Sequence, residues 1–152
     1  FIDRYRLQVQ KQSQPNGLLT ILCFFVENKL KLEILNARNL ITSRKCDSYV
    51  KIQIIPGKFE QKFQTKIQFD TQFPLYDEIF EFELTDEQMN MKDAILYFNI
   101  KNRSLIGSSE CIGEAFLALK DIAVITSKDI LKQIHLTLTR LGSDGEFDHL
   151  AQ

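Results

Sequence analysis

Hydrophobic and polar residues alternate with period two along most of this chain. Leu30, Leu32 and Ile34 alternate with Lys29, Lys31 and Glu33. Val50, Ile52 and Ile54 alternate with Tyr49, Lys51 and Gln53. After a Pro56-Gly57 turn, Phe63, Thr65, Ile67 and Phe69 alternate with Lys62, Gln64, Lys66 and Gln68. Phe80, Phe82 and Leu84 alternate with Ile79, Glu81 and Glu83, and similar segments recur near residues 94–100, 115–119 and 134–138. With a first strand before the polar Glu27-Asn28 turn, this makes eight short strands separated by turns. The pattern predicts an all-β, eight-stranded antiparallel β-sandwich. Residues 85–91 and 120–132 read as short helical turns between strands.

Two segments break the pattern. In the first strand both faces are apolar: Leu19, Ile21, Cys23 and Phe25 on one, Leu18, Leu22, Phe24 and Val26 on the other. A half-buried strand normally keeps one polar face, so something should cover this one. Ahead of it, Phe1, Ile2, Tyr5 and Val9 recur at helical spacing, and Ser13-Gln-Pro-Asn-Gly17 reads as a boundary. The expected organisation is a helical lead-in, or the end of an upstream domain, over 1–14. The sandwich would span 15–141, and a polar tail 142–152. A start at Phe1 reads as an excised fragment, so upstream targeting information would lie outside it.

Composition narrows the partners. The chain has 152 residues, enough for one domain with a sizeable core. Its net charge of −1 drives it toward neither nucleic acid nor membrane, so any electrostatic partner must meet a local patch. No stretch approaches the ~20 apolar residues of a membrane span. Cys23, Cys46 and Cys111 are odd in number and lack C-x-x-C spacing, which argues against a disulfide framework or a zinc site and favours a reducing compartment. Asn102-Arg103-Ser104 matches a glycosylation sequon, a tripeptide common by chance.

Three motifs give the strands a family likeness. Asp47-Ser48-Tyr49-Val50 opens the third strand, with Ser48 where an Asp-Pro-Tyr-Val motif has proline. Phe73-Pro74-Leu75-Tyr76-Asp77-Glu78-Ile79-Phe80-Glu81-Phe82 lacks only a leading Asn from an Asn-Pro-x-aromatic-Asn/Asp-Glu-x-Phe-x-Phe motif. Gly113-Glu114-Ala115-Phe116-Leu117-Ala118-Leu119 forms the seventh strand. In order and spacing these resemble a C2 domain over residues 17–140, with the strand order of the synaptotagmin type. The likeness extends to the C-terminal C2 domain of the MUN-domain exocytosis factors, the Munc/Unc priming proteins and the BAI-associated protein. That family places a helical domain just upstream.

The resemblance implies calcium coordination by about five aspartates on two loops, and here most are missing. Asp47 matches the second of them, but Ile41-Thr-Ser-Arg-Lys-Cys46 offers no first. In the other loop the paired aspartates become Asn102 and Ser104, and the next acidic position is Glu110. Calcium takes six to eight oxygen ligands, chiefly carboxylates. Four cations, Arg44, Lys45, Lys101 and Arg103, now share the loops with two acids, giving a local charge of about +2. No metal site or other cofactor is expected. The resemblance also implies contact with anionic membrane lipids. A tip already cationic would need no calcium, and Leu105 and Ile106 could insert. The bland alternative is that these cations are solvated and Leu105-Ile106 packs inward.

Lys51, Lys62 and Lys66 fall on the polar faces of adjacent strands, with Lys58 in the turn between them. The resemblance implies a phosphoinositide patch there, while lysines guarding a solvated sheet edge explain them equally well. Catalysis is not expected. His135 lies on a polar strand face and His149 in the tail, without a visible nucleophile, and no phosphate loop, H-E-x-x-H or G-x-S-x-G occurs. No aromatic-basic RNA motif appears, so nucleic acid is not a partner. Two functions compete. One is a calcium-independent, cytoplasmic, peripheral membrane module of a vesicle-trafficking or exocytosis protein. The other is a protein-interaction or structural module capping an adjacent helical domain without binding lipid. A SNARE or vesicle protein would be reached through the parent protein.

Overall fold

The computed structural model describes residues 14–57, 61–90, 92–126 and 131–140. Eight antiparallel strands run through them: β1 (Gln14–Val26), β2 (Lys29–Arg38), β3 (Ser48–Ile55), β4 (Phe63–Gln64), β5 (Leu75–Glu83), β6 (Ile95–Asn102), β7 (Glu110–Ala118) and β8 (Ile134–Arg140). Two short helices, α1 (Asp86–Asn90) and α2 (Leu119–Thr126), join β5 to β6 and β7 to β8. The strand order is β4-β3-β6-β7-β8-β1-β2-β5. One in-register pair, Glu114 with Thr139, ties β7 to β8. The sheet folds over at that seam into two four-stranded layers. Gly113 sits at the seam, where an added Cβ would stand 2.9 Å from the Leu138 Cβ. The layers approach so closely there that a side chain would push them apart.

The alternation read from the sequence is what fills the space between the layers. Leu19, Ile21 and Cys23 of β1, Leu30, Leu32 and Ile34 of β2, Val50 and Ile52 of β3, and Leu96, Phe98 and Ile100 of β6 are all buried in one cluster. Each such Leu, Ile or Phe contributes about 1.5–3 kcal/mol of apolar burial. The Phe63 ring lies 5.6 Å from Phe80 and 5.0 Å from Phe82, tying β4 to β5. Ser48 stands where the motif has proline, and its hydroxyl lies 2.6 Å from the buried Tyr76 hydroxyl. That hydrogen bond joins β3 to β5, one strand from each layer. Burial also drives the Tyr76 phenol upward from its ordinary pKa. At the far end from the β2–β3 and β6–β7 loops, α2 packs on β1 and β7 and buries Ile122 completely.

One expectation is corrected. The alternation predicts a fourth strand through Phe69, yet ladder pairing covers only Phe63 and Gln64, with an isolated bridge from Gln68 to Ser48. The alternating pattern continues past the point where the backbone leaves the sheet. At the boundary segment 13–17, β1 starts at Gln14, and Pro15-Asn16-Gly17 makes a register shift inside the strand. Asn16 donates to the Ile41 and Ile112 carbonyls at 3.0 and 2.8 Å. Gly17 has φ +93°, and a Cβ there would meet the Arg38 carbonyl at 2.5 Å.

On the second face of β1, Leu18, Leu22 and Phe24 are half-buried and Val26 is exposed. Residues 1–13 of the expected helical lead-in, Lys58, His149 and the tail from 142 lie outside the described residues.

Candidate functional site

Three loops meet at one end of the sandwich: residues 39–47 between β2 and β3, 65–74 between β4 and β5, and 103–109 between β6 and β7. Asp47 is where they join. Its carboxylate Oδ1 accepts the Asp70 amide at 2.8 Å, and its carbonyl accepts the Arg103 amide at 2.8 Å. Its own amide donates to Asn102 Oδ1 at 2.8 Å. Asn102 is fully buried and donates from Nδ2 to the Lys45 carbonyl at 3.0 Å. Its amide is spent on holding the loops, which also closes it to glycosylation. Glu110 accepts from the Ser43 hydroxyl at 3.1 Å and lies 3.5 Å from the Arg140 guanidinium, its side chain only 12% exposed. Ser104 donates to the Ile106 carbonyl of its own turn. Cys46 is buried beneath, its thiol pushed up by burial and then by the charge of Asp47.

The tip is strongly apolar. Leu105 is 84% and Ile106 91% exposed, so the pair does not pack inward. Two neighbouring loops add Ile41, Phe69 (58% exposed) and Phe73 (57% exposed). None of these three stands out as a site residue in the sequence. Phe69 reads as a core position of a strand that ends before it, and Phe73 reads as a motif residue.

The cations are fewer at the tip than the sequence suggests. Arg44 and Lys45 are exposed on the first loop, with Arg44 Nη1 3.5 Å from the Ser104 hydroxyl. Arg103 is half-buried, its guanidinium carbon 4.9 Å from the Phe69 ring centroid. Lys101 belongs to β6, in register with Tyr49 and Cys111, and is engaged within the fold. The β4–β5 loop brings Asp70, which sequence spacing does not place here. With Glu110 matched to Arg140, three cations face two aspartates, a local charge of about +1.

Of the lysine patch, Lys51 lies opposite Gln64 in the β3–β4 ladder. Lys51 and Lys62 are half-buried and engaged by neighbours, whereas Lys66 is exposed. On the outer face of the other layer, His135, Thr20, Asn36 and Leu75 form a row of register partners across β8, β1, β2 and β5. Register shifts beside Thr20 and Asn36 twist the strands there. A groove of about 340 Å³ results, lined also by Ala37, Arg38, Phe73 and Gln133. His135 Nδ1 and Thr20 Oγ1 are hydrogen-bonded at 2.9 Å across it.

Comparison with known proteins gives the fold its family. The C2 domain pattern matches residues 28–136. The chain belongs to the C2 domain family. Among curated relatives, protein unc-13 homolog 4B of Drosophila melanogaster is 33% identical over 147 residues, covering 92% of this chain and 12% of that protein. BAI1-associated protein 3 of Mus musculus is 25% identical over 133 residues, covering 82% of this chain and 12% of that one. The chain thus spans about an eighth of these relatives. A solved C2 domain of RIM from Drosophila superimposes with a TM-score of 0.66 at 19% identity, covering 80% of this chain and 98% of that one. It shares the fold. No helix among the described residues is long and apolar enough to cross a membrane.

The family implies calcium at this tip, and the residues present do not fit it. Hard oxygen ligands must converge with free lone pairs. Asn102 Oδ1 is taken by a backbone amide, one Asp47 oxygen by another, and Glu110 by Ser43 and Arg140. Among the described residues no group of three or more acidic, His or Cys side chains is arranged to hold a metal.

Proposed function

We propose that this C2 domain is a calcium-independent membrane-contact module of a vesicle-trafficking or exocytosis protein, acting at the cytoplasmic face as a peripheral, non-catalytic domain. The observation that carries the reading is the exposure of Leu105 and Ile106 at the tip, backed by Phe69 and Phe73 on the adjoining loop. Magnitudes rank the forces. Immersing a fully exposed Leu or Ile side chain is worth about 1.5–3 kcal/mol. A net charge of +1 near an anionic leaflet is worth about 1 kcal/mol. The tip is therefore an apolar wedge first and a cationic patch second. Its affinity as a free domain is modest, and the parent protein's other modules raise it through effective concentration. The trafficking role rests on the likeness to unc-13 and BAI1-associated relatives, of whose length this chain matches about an eighth. Any SNARE or vesicle-protein partner belongs to that larger protein.

A second reading has its own observation. Leu75 and Ile79 are exposed on the outer face of β5, next to the groove and to the half-buried Leu22 and Phe24. A helical domain adjacent in the parent protein could cap that face, leaving this module structural. Vesicle cosedimentation separates the two, with the anionic lipid fraction varied and Lys62 and Lys66 reversed to Glu in a parallel variant. The membrane reading expects binding that survives the lysine reversal. Protein left in the supernatant at every composition, even when displayed multivalently, hands the function to the interaction reading. Loss on lysine reversal moves the lipid site to the Lys51, Lys62 and Lys66 patch.

A further inference from the structure

The outer face of β6 and β7 is buried, although the main core lies on their other side. Leu96, Phe98 and Ile100 of β6 fill that core, so the alternating Ile95, Tyr97 and Asn99 point away from it. Ile95 and Tyr97 are nonetheless 1% exposed, and Asn99 is fully buried. Across the ladder Tyr97 faces Phe116, with ring centroids 5.3 Å apart, and Asn99 faces Glu114. Glu114 is 1% exposed and accepts the Tyr97 hydroxyl. Asn99 Nδ2 has no hydrogen-bond partner among the described residues, as befits an amide shut off from water. The outer face of an antiparallel sheet normally meets solvent and is polar. This one holds a second apolar cluster, which among the described residues draws only on β3, β6 and β7. Of the two short helices, α2 sends Ile122 into the main core and α1 is fastened to the Pro56 carbonyl through Gln88. The second face of β1, by contrast, stays half open.

We propose that residues 1–13 of this chain are the cover, seated as a helix along the outer face of β6 and β7, with Tyr5 on the Tyr97–Phe116 pair and Arg6 against Glu114. Ile2, Tyr5, Arg6 and Val9 stand at i, i+3, i+4 and i+7, one stripe of a helix. The stripe carries a cation among apolar residues, and the face carries Glu114 beside Tyr97 and Phe116. A buried carboxylate calls for a cation at its side. Charge selects this segment over the other terminus. Residues 1–13 hold Arg4, Arg6 and Lys11 against Asp3, whereas residues 142–152 hold Asp144, Glu146 and Asp148 with no Lys or Arg. Position selects it as well. β1 begins at Gln14 opposite Arg140 of β8, and the neighbouring Thr139 is the register partner of Glu114. The segment therefore joins the sheet one strand away from β7. As a helix it is ~20 Å long, and β7 from Cys111 to Ala118 runs ~23 Å, so the two match in length. Lys51 lies in the same row, opposite Asn99. The seated segment thus occupies the face that a headgroup would need at Lys51. The seat is independent of the membrane reading of the tip.

The test uses the whole chain. A nitroxide on Arg4→Cys, on the opposite stripe of the helix, reports where the segment lies, with Cys23, Cys46 and Cys111 buried and protected from labelling. It should broaden the backbone NMR signals of β6 and β7 and spare those of β2 and β5. Broadening of β2 and β5 instead, or of no strand, overturns the proposal. So does a label on Ser143→Cys that broadens β6 and β7 when the Arg4→Cys label does not. Thermal melts test the pairing. Arg6→Gln should lower the melting temperature by roughly 10 °C, the shift expected from a broken buried ion pair in a domain of this size. Adding Glu114→Gln should recover part of that loss, because no lone charge then stays buried. Lys11→Gln, away from the stripe, should change the melt by no more than about 2 °C. Equal melts for Arg6→Gln and Lys11→Gln, or no recovery in the double variant, overturn the Arg6–Glu114 pairing and the proposal with it.

Discussion

Replacing Leu105 and Ile106 together by serine should remove most of the membrane affinity and almost none of the stability. The two side chains are 84% and 91% exposed, so the folded protein gains little from them. Surface changes of this kind usually alter stability by within about 0.5 kcal/mol. At a membrane the balance reverses. Full burial of a Leu or Ile is worth about 1.5–3 kcal/mol, and scaling by exposure gives roughly 3–5 kcal/mol for the pair. That corresponds to a loss of about a hundredfold to a few thousandfold in partitioning. Neutralising Arg44 and Lys45 to Gln should cost less, about 2 kcal/mol at low salt and less at physiological ionic strength. Fluorescence titration of labelled protein with vesicles gives both partition constants, and thermal melts give both stabilities. The ranking of forces is refuted if the charge variant loses more than the apolar variant at physiological salt. It is equally refuted if the serine pair partitions like the wild type.

Two further outcomes follow from the interior. Asn102→Ala should destabilise the fold by about 2–4 kcal/mol, because it leaves the Asp47 amide and the Lys45 carbonyl without their partner; a melt unchanged by this substitution would mean the loops do not depend on that amide. Burial pushes the Cys23 thiol from its ordinary 9.0 up to about 12. The folded state thus favours the protonated thiol, so stability is unaffected below pH 9 and falls between pH 9 and about 12, by at most about 1.4 kcal/mol per pH unit. Denaturant titrations across that range should show this extra slope in the wild type and its loss in Cys23→Ala, and an equal slope in both would contradict the assignment.

The β ladder is legible in the sequence because a half-buried strand must alternate, and these strands do. Its limits have physical causes too. The run from Phe63 to Phe69 alternates throughout, but hydrogen bonding and not hydropathy decides where a strand ends, so Phe69 reads as core when it lies at the tip. For Leu105-Ile106 the sequence supports inward and outward packing equally, since two apolar residues in a polar loop fit both. Asn102 reads as a neutral stand-in for a calcium ligand. Its oxygen is instead committed to the Asp47 amide, a pairing 55 positions apart that no local pattern encodes. Asp70 escapes the sequence reading of the tip because it comes from the β4–β5 loop, outside the two loops that family spacing points to. The degenerate acid count, by contrast, needs only the residue identities at matched positions.

The central claim is membrane contact without calcium. An environment-sensitive dye on Ile106→Cys reports immersion of the tip directly, with Cys23, Cys46 and Cys111 buried and protected from labelling. With anionic vesicles, the emission should shift to the blue by the same amount in millimolar calcium and in chelator. A shift that appears only with calcium, or no shift under either condition, would contradict the account.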